Sequence, residues 1–155
     1  MAQIAHRHMI AGYVSIGSEV DPAGLLQLIE QAGHQIALPY LGECGAAMIF
    51  RCWKTGDLLE PSAYGFLQPL QSAAETIPDI ILTPLVGFDD NLARLGQGAG
   101  HYDQYFSLNI KSLRIGLAYS CQKISALPCD DWDIPLDAIL TEHDLITGPH
   151  SRINL

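Results

Sequence analysis

The chain has 155 residues, with 17 acidic and 8 basic side chains for a net charge of −9, and 48% of its residues are hydrophobic against 16% charged. That length and apolar share suit one cored domain over residues 1–155 and count against disorder. The acidic balance counts against nucleic-acid and membrane-surface partners, whose affinity rests on clustered Lys and Arg, and no run reaches the ~18 apolar residues of a membrane span.

Residues 10–16 (IAGYVSI) form a short β-branched apolar run and read as a buried strand. Asp21-Pro22 is a helix-start signal, with Asp21 as N-cap and Pro22 in the first helical position. The helix presents Leu25, Leu26, Leu28 and Ile29 and stops at Gly33. Residues 34–38 are a second strand closed by Pro39, so the segment is a βαβ unit with a parallel crossover. Residues 46–53 read as a strand, 55–57 as a turn, and 58–78, with prolines at 61, 69 and 78, as an irregular connection over the sheet. Further strands are expected at 79–83, 113–119 and 138–141, and a helix at 100–108, while the tail from Gly148 carries little pattern. The alternation predicts an α/β fold, a Rossmann-like three-layer sandwich with a mainly parallel sheet, whose ligands bind beyond the carboxyl ends of the strands.

The four cysteines, Cys44, Cys52, Cys121 and Cys129, form no C-x-x-C pair, and residues 1–12 have no leader-like apolar run. Free, mostly buried thiols and a cytoplasmic setting are the expectation. The His6-x-His8 pair is too short to define a metal site, His34 reads as structural, and His143 as part of a surface turn. Phe50 is expected in the core, whereas Trp53 suits either core or a stacking role.

The loop after the strand at 79–83 reads PLVGFDDNLARLGQGAGHYD, with glycines at 96, 98 and 100 just before a helix start. Such a loop can turn consecutive N–H groups toward an anion, helped by the helix dipole and by Arg94. Tyr102 can stack on a flat ligand, and Asp103 can hold a divalent metal or a protonated ring nitrogen. Alternating glycines alone more often just make a tight turn, and the loop is neither a Walker A nor a Rossmann glycine motif. Asp130, Asp131 and Asp133 lack the spacing of a calcium loop and, on their own, read as an acidic surface turn.

The composite run PLVGFDDNLARLGQGAGHYDQYF resembles the signature of the 5-formyltetrahydrofolate cyclo-ligases, also called methenyltetrahydrofolate synthetases. YVSIGSEVDPAGLL, IALPY, YGFLQP and CDDWDIPLDAILTE resemble further segments of that family, so the likeness runs from Ile10 to Thr147. The resemblance implies conversion of 5-formyltetrahydrofolate to 5,10-methenyltetrahydrofolate, with Mg²⁺ as cofactor and ATP as co-substrate. Arg94 and Tyr102 would act in catalysis. Arg94, Leu95, Gly96, Gln97, Gly98, Ala99, Gly100, His101 and Tyr102 would form the ATP loop. Val14, Glu19, Tyr40, Gln97, Gly98, Ala99, Gly100 and His101 would border the folate, and Asp103 and Asp133 would hold Mg²⁺. Where the family has the first Tyr of Y-Y-D this chain has His101, and where it has the glycine before its R-L-G run this chain has Leu92. The family's N-terminal helix, whose Lys and Arg reach the ATP phosphates, is expected to be absent, and Arg7 stands elsewhere relative to the first strand. The partners expected are small molecules, a reduced folate and ATP, and the assembly a monomer or homodimer. The alternative is a catalytically impaired relative that binds folate or nucleotide without turnover.

Overall fold

A computed structural model describes residues 6–97 and 99–153. In chain order the elements are β1 (Met9–Ala11), α1 (Ala23–Gln31), β2 (Gln35–Tyr40), β3 (Ile49–Trp53), β4 (Leu59–Pro61), β5 (Leu67–Pro69), β6 (Glu75–Thr76), β7 (Ile80–Pro84), β8 (Gly87–Phe88), β9 (Arg94–Leu95), α2 (His101–Leu108), β10 (Leu113–Leu117), β11 (Ala138–Leu140) and β12 (Leu145–Thr147). Eight of the strands make one sheet in the order β12-β11-β10-β7-β1-β2-β3-β6. The interior pairings β11-β10, β10-β7, β7-β1 and β1-β2 are parallel, and antiparallel strands finish both edges.

Alternate residues along each strand face opposite sides of the sheet, and each side buries one helix. Ile10, Ile36, Leu38, Leu82 and Leu117 pack with Leu26 of α1. Their neighbours Ala11, Ala37, Ile81 and Ala118 pack with Tyr105 and Phe106 of α2, alongside Phe50. The result is the α/β layering expected, a helix on either face of a mixed, centrally parallel sheet.

Helix α1 begins at Ala23, one residue later than the signal suggests, because Pro22 stands outside it as the cap. Asp21 still does the capping chemistry, since its Oδ1 accepts the Ala23 N–H at 3.0 Å. Gly33, at φ +95°, takes the left-handed conformation just past the helix, as its place in the sequence predicts.

Other expectations need correction. The first strand keeps only Met9–Ala11, because the chain leaves the sheet at Gly12. Pro39 does not close β2 but sits inside it, opposite Phe50 of β3. Gln35 N–H donates to His8 O and Gly12 N–H donates to Ala37 O, so residues 35, 37 and 39 turn their backbone polar groups toward β1. The nitrogen of Pro39 therefore stands where the next rung to β1 would come, and β1 ends before it. The segment 58–78 is not irregular: β4 and β5 form a hairpin, and buried Gln68 accepts the Leu41 N–H at 3.0 Å, fastening the hairpin to the end of β2. Within the glycine-bearing loop, β8 and β9 form a second hairpin, and β12 adds a strand after the one expected to be last. The cysteines are free but not mostly buried, for Cys44, Cys121 and Cys129 lie exposed in connections and Cys52 is half-buried on β3. Phe50 is a fully buried core residue, and Trp53 donates its indole N–H to Asp57 O on the rim of the α1 face.

The tail is also more tightly held than its sequence suggests. Asp137, 1% exposed, accepts Arg152 Nε at 2.8 Å, Arg152 Nη2 at 2.7 Å and the Arg114 N–H at 2.8 Å. Arg152 further donates to Ile110 O and to Ser112 O, closing the tail over the start of β10. Burial acts to raise the Asp137 pKa, but the Arg152 hydrogen bonds, the Arg114 amide and both guanidinium charges outweigh it, and the carboxyl sits below its ordinary value.

A depressed carboxylate pKa stabilises the fold above the unfolded value, and that stabilisation is lost as pH falls through the folded value. Arg152→Met is therefore expected to cost about 3 kcal/mol at pH 7, the low end for a broken buried pair because Arg114 remains and Arg152 is partly exposed. The deficit should narrow as pH falls below about 4, the ordinary aspartate value at which the unfolded chain takes up its proton, and on down through the depressed folded value. Urea unfolding across that range measures it, and a deficit that does not change with pH contradicts the assignment.

Candidate active site

Strands β1, β2 and β7 run parallel and end on the same side, and their carboxyl ends open into a cavity of about 1100 Å³. Tyr13, Val14, Ile16 and Glu19 enter it after β1, Pro39 and Leu41 at the end of β2, and Pro84 and Leu85 at the end of β7. Tyr64 and Phe66 come from the β4–β5 hairpin, and Leu127, Pro128 and Asp130 to Ile134 supply a further stretch of wall. This is the position that a doubly wound sheet reserves for ligands.

The glycine loop is anchored before it reaches the cavity. Asp89, 3% exposed, accepts the N–H groups of Asn91 at 2.9 Å, Ala93 at 3.1 Å and Leu127 at 3.0 Å. Between the first two lies Leu92, whose φ of +60° is in the region that favours glycine. Its side chain is buried against Gly148, where a Cβ would stand 3.1 Å from the leucine Cγ, and its carbonyl accepts the Leu136 N–H. The packing of the leucine side chain offsets the backbone strain.

Two residues on, Arg94 projects into the cavity. Its Nη1 donates to Pro84 O at 3.0 Å, its guanidinium carbon stands 5.2 Å from the Tyr102 ring centroid, and its Nε is buried without a partner. Burial pulls the guanidinium pKa down, while Asp103, Tyr102, Asp133 and Glu19 push it back up. Burial also raises the Tyr102 phenol well above its ordinary value, so that group remains a neutral donor. Glu19 is raised as well, chiefly by burial and despite hydrogen bonds from the Ile16 amide and Gln97 and the charge of Arg94. Gln97 Nε2 lies 3.4 Å from Glu19 Oε1, which brings the glycine loop and the turn after β1 together.

Most sequence-predicted positions converge here. Val14, Glu19, Arg94, Leu95, Gly96, Gln97, Ala99, Gly100, His101, Tyr102, Asp103 and Asp133 all line the cavity, whereas Gly98 lies outside the described residues. Tyr40 is placed elsewhere: its ring lies under the Arg51 guanidinium, 4.4 Å from centroid to Cζ, and does not line the cavity. The side chain of a strand residue turns to the face opposite its neighbours, so Pro39 and Leu41 take the wall instead. His101 packs edge-on against Tyr64 with its Nε2 buried and unpartnered. Asp130 and Asp131, read as a surface turn, also border the cavity.

Tyr64, Met48 and the 70%-exposed Trp132 were not assigned by sequence reasoning, although YGFLQP and CDDWD both stand in matched segments. The donor set fits a hard divalent cation. Asp103 Oδ1 accepts the Ile134 N–H and Asp133 Oδ2 the Asp130 N–H, which orients both carboxylates and leaves an oxygen of each free. Mg²⁺ is commonly held by one or two carboxylates together with substrate phosphates. Among the described residues no group of three or more His, Cys, Asp and Glu side chains could hold a metal by itself. No helix among them is long and apolar enough to cross a membrane.

The chain is similar to known proteins in sequence and fold. The sequence model of the 5-formyltetrahydrofolate cyclo-ligase family matches residues 1–142. The 5-formyltetrahydrofolate cyclo-ligase of Escherichia coli (strain K12) is 31% identical over 141 residues, covering 86% of this chain and 78% of that protein. The Haemophilus influenzae 5-formyltetrahydrofolate cyclo-ligase is 32% identical over 138 residues, covering 84% of this chain and 74% of its relative. The solved structure of Aquifex aeolicus 5,10-methenyltetrahydrofolate synthetase superposes with a TM-score of 0.76 at 29% identity, over 96% of this chain and 75% of that one. With the family model matching residues 1–142, relatives 31% and 32% identical over most of both chains and a superposition over 96% of this one, the chain belongs to the 5-formyltetrahydrofolate cyclo-ligase family.

Proposed function

We propose that this chain is a cytoplasmic enzyme that uses Mg·ATP to convert 5-formyltetrahydrofolate to 5,10-methenyltetrahydrofolate, releasing ADP and phosphate. The observation that carries the reading is the single cavity in which Arg94, the glycine loop, Glu19 and the Asp103–Asp133 pair meet. The formyl oxygen takes the γ-phosphoryl group of ATP and ADP leaves, N10 of the folate attacks the activated carbon and gives up its proton, and the C–O bond breaks as phosphate leaves, carrying that proton in the balance. Phosphoryl transfer of this kind needs little covalent chemistry from the protein, mainly positioning and charge stabilisation.

Arg94 supplies the fixed positive charge for the transferring phosphoryl oxygens, with the N–H groups at Gly96 and Gly100 and the start of α2 beside it. Tyr102 keeps its proton and holds the guanidinium from the side. Glu19 accepts hydrogen bonds from pterin N–H groups, with Val14 on the same wall and Gln97 and His101 along the loop. Asp103 and Asp133 hold Mg²⁺, which when bound shields phosphate charge. Tyr40 has no part in this reading.

One observation favours a second reading, a relative that binds without turnover. Among the described residues Arg94 is the only Lys or Arg lining the cavity, against the carboxylates of Glu19, Asp103, Asp130, Asp131 and Asp133. An assay separates the two. With Mg·ATP and 5-formyltetrahydrofolate, methenyl-folate absorbance is expected to grow, and Arg94→Ala and Asp103→Ala should each lower kcat/KM by about 100-fold or more while leaving the protein folded. Calorimetric folate binding with no turnover and no ATP affinity would put the second reading in its place.

Glu19 gives a pH dependence. Its carboxylate is the form that accepts pterin N–H groups, and burial raises its pKa, so folate affinity should fall as pH drops through a value above the usual ~4.3. Titration calorimetry from about pH 7.5 down to 4.5 is expected to show that limb in the wild type and to lose it in Glu19→Gln. A limb that survives in Glu19→Gln assigns it to another group.

A further inference from the structure

With one cationic side chain on the cavity wall among the described residues, the placement of the Arg94 guanidinium decides where positive charge is available. Pro84 O and the Tyr102 ring fix it on two sides. A third boundary is a side chain that does not exist. A Cβ built on Gly96 would stand 2.5 Å from Arg94 Nη1 and 3.0 Å from both Cζ and Nη2. Those separations are well inside contact distance for carbon and nitrogen, so a methyl group and the guanidinium cannot share that space.

The glycine is not needed for backbone freedom. Gly96 is not among the positive-φ glycines, so its backbone conformation accepts an L side chain. The three atoms nearest a Cβ there, its chain neighbours aside, all belong to the tip of Arg94, so the first group it meets is that flexible tip rather than backbone. Adding a methyl group would therefore displace the arginine tip and leave the surrounding backbone in place.

We propose that Gly96 is a positioning residue for Arg94, its missing side chain forming the slot that seats the guanidinium between Pro84 O and Tyr102. The consequence for turnover rests on the cyclo-ligase reading above, whereas the slot itself does not. Gly96 thus acts through Arg94, a role separate from any hydrogen bond its own N–H makes to a phosphate.

The test is a double-mutant cycle on the full chain with Gly96→Ala, Arg94→Ala and the pair. Gly96→Ala is expected to keep its thermal midpoint within about 3 °C of the wild type. It should lower kcat/KM by about 100-fold, the scale of an ångström's misplacement, mostly in kcat. In the Arg94→Ala background the same change should cost nothing further. A second arm needs no turnover: the Arg94 Nε–H resonance, assigned by its absence from Arg94→Ala, should shift in Gly96→Ala. Additive losses, or an unmoved resonance, overturn the proposal. If Gly96→Ala fails to fold, the pair must fold again, because removing the guanidinium empties the slot, and a pair that stays unfolded also overturns it. A wild type with no turnover defeats the cyclo-ligase reading alone, because the resonance and folding arms still decide the slot.

Discussion

A single buried carboxylate joins the two walls of the cavity. Asp89 accepts two N–H groups from its own turn and one from Leu127, so the loop that delivers Arg94 and the acidic segment that delivers Asp133 are tied to the same pair of oxygens. Hydrogen bonds to a charged acceptor are about twice as strong as neutral ones, and a buried amide left without a partner is costly. The loop is therefore held by interactions that do not involve any ligand. Leu92 stays in its left-handed conformation within this frame, sealed by Leu136 and Gly148.

What could be read from the chain followed the range of the interactions. Asp21, Pro22 and Gly33 bracket α1 because capping is local, and the apolar runs at β7 and β10 mark buried parallel strands whatever their neighbours. The short pieces were hidden for the opposite reason. Strands of two or three residues such as β6, β8, β9 and β12 exist only because a partner lies alongside, and two or three residues carry no period. Arg152 was equally silent, since its carboxylate partner lies 15 residues back and its two carbonyl partners about 40. The site was legible where a contiguous motif spelled it, from Arg94 to Asp103. It was illegible where faces decide, as at Tyr40, which turns to Arg51 while its neighbours line the cavity.

Electrostatics sets the working conditions of the cavity. Among the described residues five carboxylates and one guanidinium line it, so an incoming polyanion meets a field that is attractive near Arg94, the loop amides and any cation held by Asp103 and Asp133. Burial keeps Tyr13 and Tyr102 protonated and raises Glu19, which moves the wall toward neutrality as ligands exclude water. Net charge and local charge thus play different parts: the first is a property of the whole surface, and the second makes the Arg94 end of the pocket the part that attracts an anion.

Pro39 shows how one strand can dictate where another stops. The rungs between the first two strands advance two residues at a time, and the next would need an amide hydrogen from residue 39, which proline lacks. Where that rung would have come, the neighbouring chain peels away at Gly12 and carries Tyr13, Val14 and Glu19 into the cleft. The imino acid works as a punctuation mark written on one line and obeyed on the next, and the mouth of the pocket opens where it falls.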